Sequence, residues 1–320
     1  MHWQELNTQY TQTFCNFLNK LCNSIARSTN VLAKRKWTAD YRNKPLADSP
    51  INRKPDIVLK DVSNPLVTWR TVCAIAEITS QSHEVGKLVR TVIDKSYIML
   101  TTQPNRVFVP ILSVWGKHLF RLTVSDREGQ IRSVIYELAG VRTVSSSLIF
   151  LRLIAGLCFA DKQYLGYDPT MTIDGCGLVK SIRCCKKDFK VVDTIFEAQS
   201  FVGRATRVWK VEYRGKNYIL KDAWIEKSRP YSEIQHLQHI AGVQGVPDYF
   251  CGEDVSVDEK ILCTSNIRGC SLPTTRVRRR IVTCSIGSQI ADFNNKRELI
   301  SAFRDIVISV LNIVFYLCFT

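Results

Sequence analysis

Gly203, Thr206, Val208 and Lys221 are the residues whose types and spacing suggest chemistry. They sit in FVGRATRVWKVEYRGKNYILK, residues 201–221. A glycine-bearing turn (Gly203-Arg204-Ala205-Thr206) opens into an apolar run with Val208, Trp209, Val211 and Tyr213. A polar turn at 214–217 follows, then a second run, Tyr218-Ile219-Leu220, that ends on Lys221. Strand, tight turn, strand and terminal lysine make a hairpin suited to phosphate. Backbone N–H groups in the glycine turn can face anionic oxygens, and the lysine adds a fixed positive charge. The plainer reading, a β-hairpin with one surface lysine, stays open at this level.

Two glutamate carboxylates, Glu226 and Glu233, follow the lysine. Glu233 lies twelve residues on, in a segment (224–242) read as helix, where Glu233, Leu237 and Ile240 share one face. Glu226 is the competing carboxylate.

These residues carry a resemblance. GRATRVWKV, then YILKDAW, then Glu233 resembles the fungal-type protein kinase family, with its G-R-x-T-x-V-W turn and K-D-x-W lysine strand. Gly203 matches the middle glycine of the kinase G-x-G-x-x-G-x-V pattern. Phe201 and Thr206 replace the outer two, and Val208 and Lys221 match the valine and the lysine. The resemblance takes in Ser125-Asp126-Arg127-Glu128-Gly129 and Leu165-Gly166-Tyr167-Asp168-Pro169-Thr170 upstream. Downstream it takes in Glu298-Leu299 and Arg304-Asp305, and it spans roughly residues 50–305. It implies ATP-dependent phosphoryl transfer to protein Ser/Thr. In it, Gly203, Thr206, Val208 and Lys221 hold ATP, Glu233 orients Lys221, and the hinge backbone at 283–286 meets adenine.

The pattern stops before a catalytic loop. Phe303-Arg304-Asp305 has phenylalanine where His-Arg-Asp needs histidine, and Asn312 follows Asp305 by seven residues rather than five. No Asp-Phe-Gly occurs. The expectation is therefore a truncated, inactive kinase-like chain, with ATP bound weakly or not at all, magnesium not expected, and no residue assigned to catalysis or to a metal.

A second constellation lies upstream. Asp56 opens a short strand and Glu77 closes another, in a strand–strand–helix–strands order that resembles the core of PD-(D/E)xK nucleases. Such sites use two acidic groups around a metal and a lysine beside the attacking water. Thr79 stands where the lysine belongs. The reading is inheritance of the fold without catalysis; the alternative is a strand-opening Asp56 and a Glu77 held in a structural ion pair.

Composition sets the frame. The chain has 320 residues, 45% hydrophobic and 23% charged, as in an ordinary globular protein. A formal net charge of +15 favours acidic partners, nucleotide or nucleic acid among them. None of the 12 cysteines stands in C-x-x-C, so no zinc set emerges; reduced buried thiols fit a cytoplasmic or nuclear location. The apolar end, 306–320, is shorter than a spanning helix, and no membrane partner is expected.

The expected fold is α+β: an N-terminal helix and basic linker (1–50), a restriction-endonuclease-like α/β module (51–175), a protein-kinase-like small lobe and hinge (176–305) that is an incomplete kinase fold, and an apolar tail (306–320). The alternatives to the kinase reading are a non-catalytic binding module acting through a basic surface and a degenerate nuclease-fold domain.

Overall fold

A computed structural model describes residues 3–79, 85–116, 118–138, 144–270, 274–284, 287 and 290–319. The chain is a mixed α+β protein that divides into two compact units. One comprises residues 1–179 with 199–203, the other 180–198 with 204–320.

The first unit is a sheet with helices on both faces. Its elements are α1 (Trp3–Thr29), β1 (Arg35–Thr38), β2 (Ile57–Asp61), β3 (Ala74–Thr79), α2 (Val85–Thr102), β4 (Val109–Trp115), β5 (Leu119–Asp126), β6 (Gly129–Arg132), β7 (Tyr136–Glu137), α3 (Val144–Phe159) and β8 (Met171–Ile173). The sheet runs β1-β2-β3-β4-β5-β6, with β7 on β5. Among the described residues only β3 and β4 pair in parallel, and α2 is the crossover between them.

Alternation along the strands sorts the core. Ile57, Leu59, Ala74, Ala76, Leu112 and Val114 face α1 and α3, which add Phe14, Leu18, Phe150 and Ile154. Val58, Ile75, Val109 and Ile111 face α2, which adds Val92, Ile98 and Met99. Successive side chains point to opposite faces, so strands buried on both sides read as near-continuous apolar runs.

The second unit is one curled antiparallel sheet, a half-barrel. Its elements are β9 (Val179–Cys184), β10 (Lys187–Glu197), β11 (Arg207–Tyr213), β12 (Lys216–Glu226), α4 (Glu233–His239), β13 (Tyr249–Asp254), β14 (Ser256–Val257), β15 (Lys260–Ile261), α5 (Thr264–Arg268), β16 (Arg276–Thr283) and α6 (Lys296–Phe319). Within this unit the strand order is β13-β16-β12-β11-β10-β9. Register shifts break the β10–β11 and β13–β16 ladders, and such bulges deepen twist and bending. The curl brings the Arg280 guanidinium on β16 to the Arg183 carbonyl on β9, at 2.7 Å.

Several expectations need correction. Residues 224–226 are not helical: β12 runs on to Glu226 because β16 pairs it as far as Arg276. α4 covers only Glu233–His239. The segment from Trp69 is extended only over Ala74–Thr79. The run Arg276-Val277-Arg278-Arg279-Arg280, which reads in the sequence as a strand with one exposed basic edge, forms no such edge. β16 lies between β12 and β13, and Arg278 and Arg280 are buried. Residues 306–319 continue α6 without a break. Ser285 and Ile286 of the expected hinge lie outside the described residues.

Candidate functional site

The β11–β12 hairpin is built by its turn. Arg214 and Gly215 both have positive φ, as a two-residue type I′ turn requires, and Tyr213 then pairs with Lys216. That register sets Val208 opposite Lys221 and Trp209 opposite Leu220. Directly opposed residues share a face. Val208 and Lys221 therefore share the half-buried face, and Trp209 and Leu220 the core face.

α4 delivers the carboxylate. Ser232 accepts a hydrogen bond from the Gln235 backbone N–H at 3.1 Å, and Gln235 Oε1 accepts from the Ser232 N–H at 2.8 Å. This reciprocal capping box fixes where the helix starts, so Glu233 is its first residue. Lys221 Nζ donates to Glu233 Oε1 at 2.6 Å and to Oε2 at 2.8 Å. Arg204 approaches the same carboxylate at 3.9 Å. The Lys221 and Glu233 side chains keep 29% and 37% of their exposure. A pair that open contributes about 0–1 kcal/mol to stability. Its effect is to hold the ammonium group in place.

Of the residues singled out in the sequence, Lys221, Val208 and Glu233 come together. Thr206 lies one residue before β11, and its carbonyl accepts the Ala198 N–H at 2.9 Å. Gly203 belongs to the first unit. Its φ is +103°, and its N–H is spent on the Arg127 carbonyl at 3.0 Å. Glu226, the competing carboxylate, ends β12 and accepts from Ser228 at 3.1 Å.

The residue after Lys221 has the opposite surroundings. Asp222 is buried between Arg278 and Arg280. Arg278 Nε donates to both Asp222 oxygens, at 3.0 and 3.1 Å, and Arg280 Nε to one at 2.9 Å. Burial pushes the Asp222 carboxyl up, but the two guanidinium groups outweigh it and hold it below the usual carboxylate range. A third arginine of the strand, Arg279, pairs with Asp254 at 2.7 Å. Three positive charges of this cluster are thus met internally, so they add little to a basic surface.

Both residues of the acidic pair in the first unit are partnered within the protein. Asp56 Oδ2 accepts from the Ile78 N–H at 2.8 Å. Glu77 forms an ion pair with Lys95, which α2 brings over the sheet, and both side chains are 3% exposed. Burial raises the Glu77 carboxyl to about 7 against the pull of Lys95. The positive charge beside Glu77 thus comes from the helix. Spacing within the strand could not reveal it.

The two upstream stretches that carried the resemblance are arginine anchors. Arg106 stacks on the Tyr167 ring at 3.7 Å and donates to the Leu165 carbonyl. Arg127 donates to the carbonyls of Leu100 and Ser200, both at 2.8 Å.

Sequence reasoning missed one juxtaposition. Cys184 and Cys185 adjoin Cys251, with all three sulfur atoms within 4.8 Å of one another. The adjacent cysteines were a visible signal; their partner 66 residues on was not.

A family model described as fungal protein kinase matches residues 53–273. The chain belongs to the fungal protein kinase family. The family match covers parts of both units, with the Asp56–Glu77 region and the Lys221–Glu233 pair inside it. Neither a curated protein nor a solved structure matches the chain. Fungal protein kinases, as kinases, use ATP and magnesium in general.

Proposed function

We propose that the second unit is the nucleotide-binding small lobe of a fungal protein kinase and that Lys221 is its phosphate contact. The observation that carries this is the two-oxygen grip of Glu233 on Lys221 Nζ, at 2.6 and 2.8 Å. A flexible lysine bound this way presents its ammonium group at a fixed point, where it meets the α- and β-phosphates. Val208, opposite Lys221 in the hairpin, offers apolar surface to the base. Thr206 closes the neck of the preceding loop. Within the first unit the Gly203 N–H is spent on the Arg127 carbonyl, so the reading rests on Lys221 for charge.

Phosphoryl transfer also requires a base and magnesium ligands. The sequence contains neither His-Arg-Asp nor Asp-Phe-Gly. Phe303-Arg304-Asp305 lies within α6, with Arg304 paired to its neighbour Asp305 at 2.8 Å. On its own, this chain binds nucleotide and does not transfer phosphate.

We read the first unit as a restriction-endonuclease-like core without that activity. Its β2–β3–α2–β4 order, with Asp56 and Glu77, supports the fold. The buried Glu77–Lys95 pair, closed to solvent, argues against the chemistry.

Thermal unfolding with and without ATP tests the nucleotide reading. Unmodified chain rises in Tm with ATP and the Lys221→Ala chain does not. Equal rises in both would remove Lys221 from the site.

A further inference from the structure

The curl of the second unit brings together three thiols that its strand order holds apart. Cys184 ends β9 and Cys185 begins the turn into β10. Cys251 lies on β13, at the other end of the strand order. Cys184 and Cys185 sulfurs are 3.9 Å apart, and all three sulfurs lie within 4.8 Å of one another. Cys184 and Cys251 are buried, and Cys185 is half-buried.

That spacing has chemical content. Zinc binds thiolate sulfur at about 2.3 Å, so two sulfurs on one tetrahedral zinc stand about 3.8 Å apart. The observed 3.9 Å between Cys184 and Cys185 matches this edge. The Cys251 sulfur closes the triangle with a shift of less than an ångström, on the order of a side-chain adjustment. Cys185 is the half-buried member of the three, and water is an available fourth ligand for a three-cysteine zinc.

The turn that carries Cys185 is unusual in itself. Cys185 and Lys186 both have positive φ, at 50° and 60°. Asparagine and glycine are the usual residues of such a turn. Cysteine there aims its sulfur back across the curl, toward β13.

We propose that Cys184, Cys185 and Cys251 form a zinc site that staples the two ends of the curled sheet. Binding exchanges thiol protons for the metal: each sulfur that ligates Zn²⁺ as thiolate releases any proton it carries, with no oxidation of sulfur. β13 also carries Gly252, whose Cα faces Ile234 of α4, so the staple bears on the strand that supports the Glu233 helix. The site does not depend on nucleotide binding.

The test uses the full chain, reduced and stripped of metal, with Zn²⁺ alone as the probe. Competition against a chromophoric chelator should show one tightly held Zn²⁺ per chain, lost at least tenfold in affinity on Cys251→Ser. Alkylation mass spectrometry on the unmodified chain serves where that variant does not fold. Zn²⁺ should protect Cys184, Cys185 and Cys251, while exposed Cys176, Cys270 and Cys284 still react. Zinc retained equally by a Cys184→Ser, Cys185→Ser, Cys251→Ser chain overturns the proposal. So does no protection of the three thiols, or retention of Cu⁺ but not Zn²⁺.

Discussion

Lys221 and Asp222 are neighbours in β12 and point to opposite faces of the sheet. The lysine meets Glu233 at 2.6 Å on a half-open face. The aspartate is buried between Arg278 and Arg280, at 3.0 and 2.9 Å. One strand thus carries a half-exposed charge held for use and a buried charge held for structure. The two make different predictions.

Asp222 is the shared partner of two buried guanidinium groups. Removing one partner of a buried ionic cluster leaves uncompensated charge and costs about 3–5 kcal/mol. Asp222→Ala should destabilise the second unit by that amount in urea unfolding. Its carboxyl is held low in the folded state, so its contribution is present above the ordinary carboxylate pKa and is lost as pH falls through the folded value. An Asp222→Ala chain as stable as the parent would show that the cluster does not hold the sheet.

Glu233 should behave in the reverse way. Its pair with Lys221 is too exposed to contribute more than about 1 kcal/mol. Glu233→Gln should leave the unfolding midpoint nearly unchanged while weakening ATP binding several-fold, because Lys221 is then free to swing. Equal affinity in parent and variant, measured by calorimetric titration, would contradict a positioning role.

Glu77 predicts a pH slope in the first unit. Its folded carboxyl keeps a proton up to about 7, against an ordinary value of 4.5. The folded state therefore binds more protons across that window, and stability falls as pH rises through it, by about 3 kcal/mol in all. Glu77→Gln should flatten this slope, whatever it does to stability at any one pH. Parallel slopes in parent and variant, from unfolding at several pH values, would contradict the assignment.

Gly166 is a tight backbone position. Its φ is +89°, and a Cβ there would stand 2.1 Å from the Phe108 carbonyl oxygen. Its own carbonyl accepts the Val107 N–H at 2.8 Å. Gly166→Ala should cost about 2–4 kcal/mol, from strain and displaced backbone together. A circular-dichroism melt unchanged from the parent would show that this corner relaxes freely.

What the sequence made legible depended on local pattern. The β11–β12 hairpin was readable because Arg214-Gly215 suits a tight turn and apolar runs flank it. Glu233 was readable as a partner for Lys221 because both lie near the hairpin and fit the kinase pattern. The extent of β12 was not, because Trp224 to Glu226 are held extended by β16, some fifty residues away. The buried arginines were misread for the same reason. Arg278 and Arg280 look like a basic run until the register places Asp222 opposite Arg280. Lys95 was hidden because it lies on the crossover helix, outside the strand that carries Glu77. Cys251 was hidden because only the curl of the sheet brings it to Cys184.

Calorimetric titration of the full chain with ATP, beside Lys221→Ala, tests the central claim most directly. A charge-assisted contact of about 1.5–3 kcal/mol predicts saturable binding by the parent, weakened roughly ten- to hundredfold in the variant, with the two circular-dichroism spectra superimposable. No binding by the parent, or equal affinity in both chains, would contradict the claim that this hairpin holds nucleotide.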